Sequence, residues 1–435
     1  ELSIFRSSAM AQIDNLEGED LAISSRTGNI VAMNLEGEQI FDYSSATAFL
    51  FSPVIADIND DSQNEVIATG LDGKLYVIQS DGSDAPGFPL QLDSTVQSEL
   101  AVGRFYADGP MQIVLGTRNG NALAIGAGGI INADFGQELG SVITGSPVIL
   151  NNARYAIATN SDIYLIGEAG IEFQQAIDAP IAGGLICADI NRDGSLDIIG
   201  ITNSGVLYVM AQTGEHLPGF PVETGTIFSC PPLVADLDSD AQYEILVHTN
   251  INSIYAYNHD GSPMAGFPFG TTYNGSTPGT LSDFDGDGYF KLIAGFSNGI
   301  LMSNLRREAS ALAPWTTYRG SLSRQASFAA TGYVANEDTA QSPARLQLLQ
   351  NYPNPFNPET TIAFELPAAQ QVSLDIFNIK GQKVRNLKRG PMDGGRHSLV
   401  WNSTDDGGTI LPSGLYFYRL HTNAQTITRK MLLLK

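Results

Sequence analysis

Ser52-Pro-Val-Ile-Ala-Asp57, Glu65-Val-Ile-Ala-Thr69 and Gly73-Lys-Leu-Tyr-Val-Ile78, closed by Asp81-Gly82 and Gly87-Phe-Pro89, form a unit that the chain repeats. A second copy runs Ile186-Cys-Ala-Asp189, Asp197-Ile-Ile-Gly200, Gly205-Val-Leu-Tyr-Val209, Thr213-Gly214 and Gly219-Phe-Pro221. A third runs Pro232-Leu-Val-Ala-Asp236, Glu244-Ile-Leu-Val247, Ser253-Ile-Tyr-Ala256, Asp260-Gly261 and Gly266-Phe-Pro268, and a fourth starts at Leu281-Ser-Asp283 and fades after Gly299-Ile-Leu301. Weaker copies at 12–37, 101–128 and 145–170 bring the number to seven. Each unit has three clear runs of β-branched and apolar residues plus a variable fourth, punctuated by Gly, Asp and Asn. A four-stranded unit recurring every 45 residues or so (roughly the 40–50 of a propeller blade) buries both faces only in a ring of copies. Runs apolar on successive residues fit sheets covered on both sides. A linear β-solenoid, with shorter and more uniform rungs, fits less well. The expected fold is all-β: a seven-bladed propeller of four-stranded blades, or eight blades if residues precede Glu1. Pro314-Trp-Thr-Thr-Tyr-Arg-Gly320 is expected to supply a closing strand and an aromatic plug.

The chain has 435 residues, enough for two or three domains, and a formal net charge of −23. Residues 1–344 carry 12 Lys and Arg against 40 Asp and Glu, whereas 345–435 carry 11 against 6. Two parts of opposite sign point to two tasks. The acidic part speaks against nucleic acid, which needs a basic stripe, and suits cation binding or solubility. The two cysteines, Cys187 and Cys230, lack CxxC spacing, which excludes a disulfide framework or a zinc ribbon. Buried free thiols, or one bridge between neighbouring repeats, both remain open. No apolar run approaches the ~18 residues of a membrane span, so no transmembrane segment is expected. Glu1–Arg6 lacks the layout of a signal peptide, as expected of a mature form or a fragment.

Between the first and second runs of four copies lies an acidic turn: Asp57-Ile-Asn59-Asp-Asp61-Ser-Gln63-Asn-Glu65, Asp189-Ile-Asn191-Arg-Asp193-Gly-Ser195-Leu-Asp197, Asp236-Leu-Asp238-Ser-Asp240-Ala-Gln242-Tyr-Glu244 and Asp283-Phe-Asp285-Gly-Asp287-Gly-Tyr289-Phe-Lys291. The shared form is an acid or amide at positions 1, 3 and 5, often Gly at 6, and a carboxylate at 9. Alternate residues of a tight loop can turn their oxygens to one centre, and Ca²⁺ takes six to eight hard oxygens at about 2.3–2.6 Å. The backbone carbonyl at position 7 (Gln63, Ser195, Gln242, Tyr289) would add a ligand. Carboxylates this close repel unless a cation offsets them, and Mg²⁺ prefers to keep several waters. The Asp189 loop is complete, those at Asp57 and Asp236 lack the position-6 glycine, and that at Asp283 has Lys291 at position 9. The stretches 14–20 and 103–112 lack the ligand set. A solvated Asp-rich turn held by side-chain-to-backbone hydrogen bonds is the alternative, and four copies in phase speak against it. The Gly-Phe-Pro triplets at 87, 219 and 266 also recur in phase, so wedging between blades is expected over stacking on sugars.

The hydrophobic-Asp-x-Asp/Asn-x-Asp-Gly-x-x-Asp/Glu turn leading into an apolar strand resembles the FG-GAP, or VCBS-like, repeat of integrin α-chain propellers and bacterial surface proteins, over about residues 12–305. The resemblance implies structural Ca²⁺ in each such loop, up to about four ions.

Residues 329–344 are small, polar and poor in β-formers, which reads as a linker between a propeller at 1–328 and a domain at 345–435. There, Thr361-Ile-Ala-Phe-Glu-Leu366 and Val372-Ser-Leu-Asp-Ile-Phe377 alternate strictly, so one face packs and the other is wet. About seven short strands suggest an Ig-like antiparallel sandwich. The stretch 346–435 closely resembles the type A sorting domain of the type IX secretion system. The matching residues are Gln350-Asn-Tyr-Pro-Asn-Pro-Phe-Asn-Pro358, Asn378-Ile-Lys-Gly-Gln382, Gly395-Arg-His397 with Trp401, Ser413-Gly-Leu-Tyr-Phe-Tyr-Arg419 and Lys430-Met-Leu-Leu-Leu-Lys435. The resemblance implies export across the outer membrane of a Bacteroidetes-like Gram-negative bacterium, with the secretion machinery as partner and removal of the domain or surface attachment afterwards. An Ig-like stalk is the plainer alternative.

No enzyme motif appears. The five histidines are scattered, and His216 and His259 are read as equivalent turn residues before Gly-Phe-Pro. The expected function is therefore a secreted or cell-surface calcium-binding propeller acting in adhesion or ligand binding, with a glycan or surface protein as ligand. The alternatives are the accessory portion of a larger secreted hydrolase or protease, and a polysaccharide lyase whose base no motif would reveal.

Overall fold

The computed structural model describes residues 8–434 except 15, 17, 107, 151, 229, 250–252, 271–277, 285–287, 297–298, 310–312, 318, 322–323, 327–346, 349–350, 352–353, 355, 367, 393–394 and 423–424. The chain forms two compact units, Glu1–Tyr333 and Val334–Lys435. The proposed linker lies outside the described residues.

Among the described residues, the first unit has seven antiparallel sheets in chain order. In the second sheet Val54–Ala56, Glu65–Thr69, Lys74–Ile78 and Leu90–Gln91 pair in sequence order. The fifth and sixth repeat this with Ile186–Ala188, Asp197–Ile201, Val206–Met210 and Val222–Glu223, then Leu233–Ala235, Glu244–His248, Ser253–Tyr257 and Phe269–Gly270. The first strands of neighbouring sheets lie side by side: Ala9–Ala11 by Val54–Ala56, then Ala101–Arg104, Ile143–Ile149 and Ile186–Ala188. This is a propeller, with the first strand of each blade innermost. The seventh blade departs from the expected four strands. Among the described residues it has three: Thr280–Ser282, Tyr289–Phe296 and Gly299–Glu308.

The apolar runs have a direct cause in the packing. In the second blade Val54, Ala56, Ile67, Leu75 and Val77 enter the core shared with the third blade, while Ile55, Val66, Ala68, Tyr76 and Ile78 enter the core shared with the first. Alternate side chains of one strand therefore fill two different layers, and every residue of Glu65–Thr69 is buried. Each fully buried Val, Leu or Ile contributes roughly 1.5–3 kcal/mol to its layer.

The described residues of 313–326 form a strap on the innermost strands of the blades. Trp315 exchanges backbone hydrogen bonds with Val234 of the sixth blade, at 2.8 and 3.2 Å, and the Thr316 carbonyl accepts from Leu281 of the seventh at 2.7 Å. Arg324 Nε donates to the Ser8 carbonyl at 3.0 Å and Gln325 Nε2 to the Ile55 carbonyl at 2.8 Å. The Gln325 and Ala326 carbonyls accept from Val102 and Ile149 at 2.6 and 3.0 Å. Arg319 Nη2 donates to the Leu100 and Pro147 carbonyls at 2.8 and 2.7 Å, beside buried Glu99. Trp315 is wholly buried, as the aromatic plug requires, and among the described residues it makes one bridge to Val234 and no closing strand.

The second unit is a two-sheet sandwich. Gln347–Leu348, Thr360–Leu366 and Gly395–Trp401 form one sheet; Lys383–Met392, Gln370–Asn378, Gly414–Thr422 and Thr426–Leu433 form the other, in that order. Its core includes Phe356, Ile362, Phe364, Leu374, Ile376, Trp401, Tyr418 and Leu433. Phe356 stacks obliquely on Trp401 and is tied to the last strand by hydrogen bonds to Leu432 and Leu434. Asn351 N–H donates to the Tyr418 hydroxyl at 2.9 Å. Asn351 and Phe356 thus clasp the opening onto the last two strands. Cys187 and Cys230 are both buried, and no disulfide joins the repeats through them.

Candidate metal centres

Each acidic turn begins at the end of an innermost strand, and in the second, fifth and sixth blades it ends at the first residue of the next one out, Glu65, Asp197 or Glu244. The register is the same in every blade that carries it: Ala56 lies opposite Glu65, Ala188 opposite Asp197, Ala235 opposite Glu244 and Ser282 opposite Lys291. Ala11 opposite Asp20 and Gly103 opposite Gln112 complete the series. Position 9 is therefore a fixed, buried place in the blade.

There the carboxylate caps the turn from below. Glu65 Oε2 accepts Ile58 N–H at 3.0 Å, Asp197 Oδ2 accepts Ile190 N–H at 2.8 Å and Glu244 Oε2 accepts Leu237 N–H at 2.6 Å. Position 1 closes the turn from above: Asp57 Oδ2 accepts Ser62 N–H at 2.8 Å, Asp189 Oδ2 accepts Gly194 N–H at 3.0 Å and Asp236 Oδ2 accepts Ala241 N–H at 3.2 Å. Position 5 accepts the N–H of position 7, from Gln63, Ser195 and Gln242. Ser62 and Ala241 hold left-handed φ values of 69° and 68° where Gly194 has 88°. The missing glycine at position 6 is tolerated, not avoided.

Burial, augmented by Asp61 and Asp57, pushes the Glu65 carboxyl up to about 7. Burial with Asp193 and Asp189 does the same for Asp197, and burial with Asp238, Asp240 and Asp236 for Glu244, each to about 7. Protonation or a bound cation relieves this repulsion.

The fit to a hard cation differs by blade. In the sixth, donor oxygens of Asp236, Asp238 and Glu244 lie within 4.8 Å of one another. In the second and fifth, position 3 is an amide that ties itself to a neighbour. Asn59 Nδ2 donates to Glu65 Oε1 at 2.9 Å, and Asn191 Nδ2 to Asp193 Oδ2 at 2.9 Å. Three carboxylates do not converge there as they do in the sixth blade. In the fifth, Asp197 Oδ1 is buried with no hydrogen-bond partner among the described residues, and a cation there would give it one. In the second, a cleft of about 180 Å³ between Asp61, Gln63, Glu65, Gln79, Ser80 and Asp81 adds a further carboxylate. Asp81 was not identified from the sequence as a candidate, although the Asp81-Gly82 turn recurs at Asp260-Gly261. The donor sets of these three blades suit Ca²⁺, which accepts mixed carboxylate, amide and carbonyl oxygens. In the seventh, Asp285 and Asp287 lie outside the described residues, and Asp283 Oδ2 accepts Gly288 N–H at 2.9 Å.

Cross-blade ties join the turns, and the sequence did not reveal them. Arg104 of the third blade ion-pairs with Asp60 in the second blade's turn. Arg192 lies over Tyr243, its guanidinium carbon 4.8 Å from the ring centre, linking the fifth and sixth turns. Asn64 Nδ2 donates to the Gln12 carbonyl at 2.7 Å, linking the second and first. Two of the three Gly-Phe-Pro triplets, at 87 and 219, act as wedges, whereas a Cβ on Gly266 would meet only the Arg307 side chain. A Cβ on Gly87 would come within 2.1 Å of the Gly128 carbonyl of the next blade, and one on Gly219 within 1.8 Å of Asp260's, while Phe88 and Phe220 are buried. His216 bridges to Met210, the place Pro263 takes opposite Tyr257, so His216 and His259 are not equivalent.

In the sandwich, Asn378 Oδ1 accepts the N–H groups of Lys380 and Gln382, both at 3.0 Å, fixing the Asn378–Gln382 turn. That turn and Leu411–Tyr416 border a cavity of about 350 Å³ with Ile379 exposed beside it. Among the described residues, no helix is long and apolar enough to cross a membrane.

The family model of the FlgD Ig-like domain matches residues 352–425. No curated protein sequence matches the chain. Among solved structures, the chain is similar to BamB from Moraxella catarrhalis, at 14% identity and TM-score 0.49 over 67% of this chain and 82% of that one. It is similar to the BBS1 N-terminal portion solved with ARL6, at 11% identity and TM-score 0.48 over 71% of this chain and 93% of that one. PorZ, described as an essential surface component of the type IX secretion system of Porphyromonas gingivalis, aligns at 13% identity and TM-score 0.42 over 100% of this chain and 60% of that one. What the chain's own residues establish is an all-β architecture of a seven-sheet propeller followed by an Ig-like sandwich.

Proposed function

We propose that this protein is a non-catalytic, calcium-stiffened β-propeller displayed outside the cell, exported by its C-terminal sandwich through a type IX secretion system, and acting in adhesion or ligand binding. The observation that carries the calcium part is the in-phase set of acidic turns in the second, fifth and sixth blades, each with a buried position-9 carboxylate raised to about 7. Asp57, Asn59, Asp61 and Glu65 would hold one ion, Asp189, Asn191, Asp193 and Asp197 a second, and Asp236, Asp238, Asp240 and Glu244 a third, with the position-7 carbonyls of Gln63, Ser195 and Gln242. A bound ion would neutralise each cluster and fix the turn.

The export part rests on the five ordered sequence motifs of 346–435. Two of them border the cavity beside Asn378–Gln382, a feature the secretion machinery could read. The partner on the propeller would be a glycan or a surface protein, reached by its loops.

The test is expression in a type IX-competent bacterium of the full chain behind a signal peptide, beside a version ending at Ala344. The full chain should appear on the surface or in the medium and bind an arrayed glycan or matrix protein with calcium present. The shortened one should remain in the periplasm. Equal export of both ends the sorting reading, and an array blank in calcium ends the adhesion reading.

A further inference from the structure

The seventh blade breaks the pattern of the other acidic turns in one residue. Lys291 holds position 9, opposite Ser282, where Glu65, Asp197 and Glu244 stand opposite Ala56, Ala188 and Ala235. Its side chain is 3% exposed, as buried as the carboxylates it replaces. A buried ammonium is tolerated only with oxygen partners. Lys291 Nζ donates to the Tyr289 carbonyl at 3.2 Å and lies 3.7 Å from Asp283 Oδ1. These are the position-7 carbonyl and the position-1 carboxylate, the same two groups that would hold calcium in the other blades. At position 6 the turn keeps the shared geometry: Gly288 has φ 86° and donates its N–H to Asp283 Oδ2, as Gly194 does to Asp189.

We propose that the Lys291 ammonium is a tethered cation that takes the place of the divalent ion in the seventh blade, so that this turn is closed without calcium while those of the second, fifth and sixth blades require it. This inference rests on the calcium reading of those three blades. An ammonium and a Ca²⁺ cannot share the Asp283 and Tyr289 oxygens. Two cations on the same pair of buried oxygens repel each other strongly, because little water screens them there. The residues of this turn therefore do not fit the metal that the repeat implies. The blade that carries it is also the one with three strands among the described residues, so the tether would hold the least-buttressed sheet whatever the calcium concentration.

The test counts calcium on the full chain, stripped with chelator and re-equilibrated with radioactive Ca²⁺ by dialysis. The wild type should bind three ions, and Lys291→Glu, which supplies the missing carboxylate and removes the ammonium, four. Asp283→Asn should leave the wild-type count at three, because no ion uses that oxygen. Four ions on the wild type, or a fall on Asp283→Asn, overturns the tethered cation, as does a folded Lys291→Glu protein that still binds three. The wild-type and Asp283→Asn counts stand even if Lys291→Glu fails to fold. A wild type that binds no calcium instead overturns the metal reading of all the turns, an outcome distinct from the others.

Discussion

A propeller strand and a sandwich strand use the same residue types differently. Glu65–Thr69 is buried at every position, including both ends, whereas Gly414–Thr422 alternates, with Tyr416, Tyr418 and Leu420 inside and Arg419 and His421 in water. A blade spends both faces on its neighbours, so its polar chemistry is pushed into the turns at its ends. The sandwich keeps a wet face and has no acidic turn of the repeat's form. The two units should therefore answer differently to calcium and to acid. The chain has two tryptophans, Trp315 in the propeller and Trp401 in the sandwich, each fully buried. Trp401→Phe and Trp315→Phe proteins therefore report each unit separately.

The sharpest separation is expected from chelation. Calcium at about 100 times its dissociation constant adds about 2.7 kcal/mol per site to a folded state that alone binds it. Three sites together make this the largest effect. Trp315 fluorescence should show the propeller melting much earlier in chelator, with calcium restoring it, while Trp401 reports an unchanged sandwich. A common shift, or none, erases the contrast.

A smaller effect is expected from pH in the stripped protein. The folded carboxyls of Glu65, Asp197 and Glu244 sit at about 7, above their ordinary values of 4.5, 3.8 and 4.5. The folded state thus holds more protons than the unfolded one between these limits. That contribution to stability is fully present below about pH 4 and is lost as pH rises through 7. Denaturant melts in chelator should therefore weaken over this window for the propeller. With saturating calcium the trend should reverse, because binding releases those protons. A stripped propeller that strengthens from pH 4.5 to 7 would contradict the burial argument.

The smallest effect concerns the backbone. Ala241 holds a left-handed φ of 68° at the place where the fifth blade has Gly194. Ala241→Gly should stabilise the propeller by about 1 kcal/mol, read from the urea midpoint, and leave the sandwich untouched. Destabilisation would mean that the alanine methyl packs usefully.

Much of this was legible in the sequence because the repeat is local. The register that puts Glu65, Asp197 and Glu244 in one place follows from three short runs and one turn length, and alternation at Val372–Phe377 revealed the sandwich. What escaped depends on distant partners. Nothing near Gln325 announces Ile55, and nothing near Arg104 announces Asp60. Lys291 was read as a missing ligand; only its buried ammonium against Asp283 and Tyr289 shows it as a substitute for one. The ranking of the turns also shifted. The Asp189 turn has the complete pattern, yet the carboxylates converge in the sixth blade, because Asp238 stands where Asn59 and Asn191 turn their amides on their neighbours.

The strap at 313–326 governs how the propeller would bear mechanical load. Trp315, Thr316, Gln325 and Ala326 are hydrogen-bonded to the innermost strands of five blades. A pull transmitted along the chain beyond Ala326 arrives at that axle first, not at an outer strand that could be peeled away singly. Several bonds must then shear together before any blade is released, so a molecule tethered by its C-terminal end would resist drag better than one held by its rim.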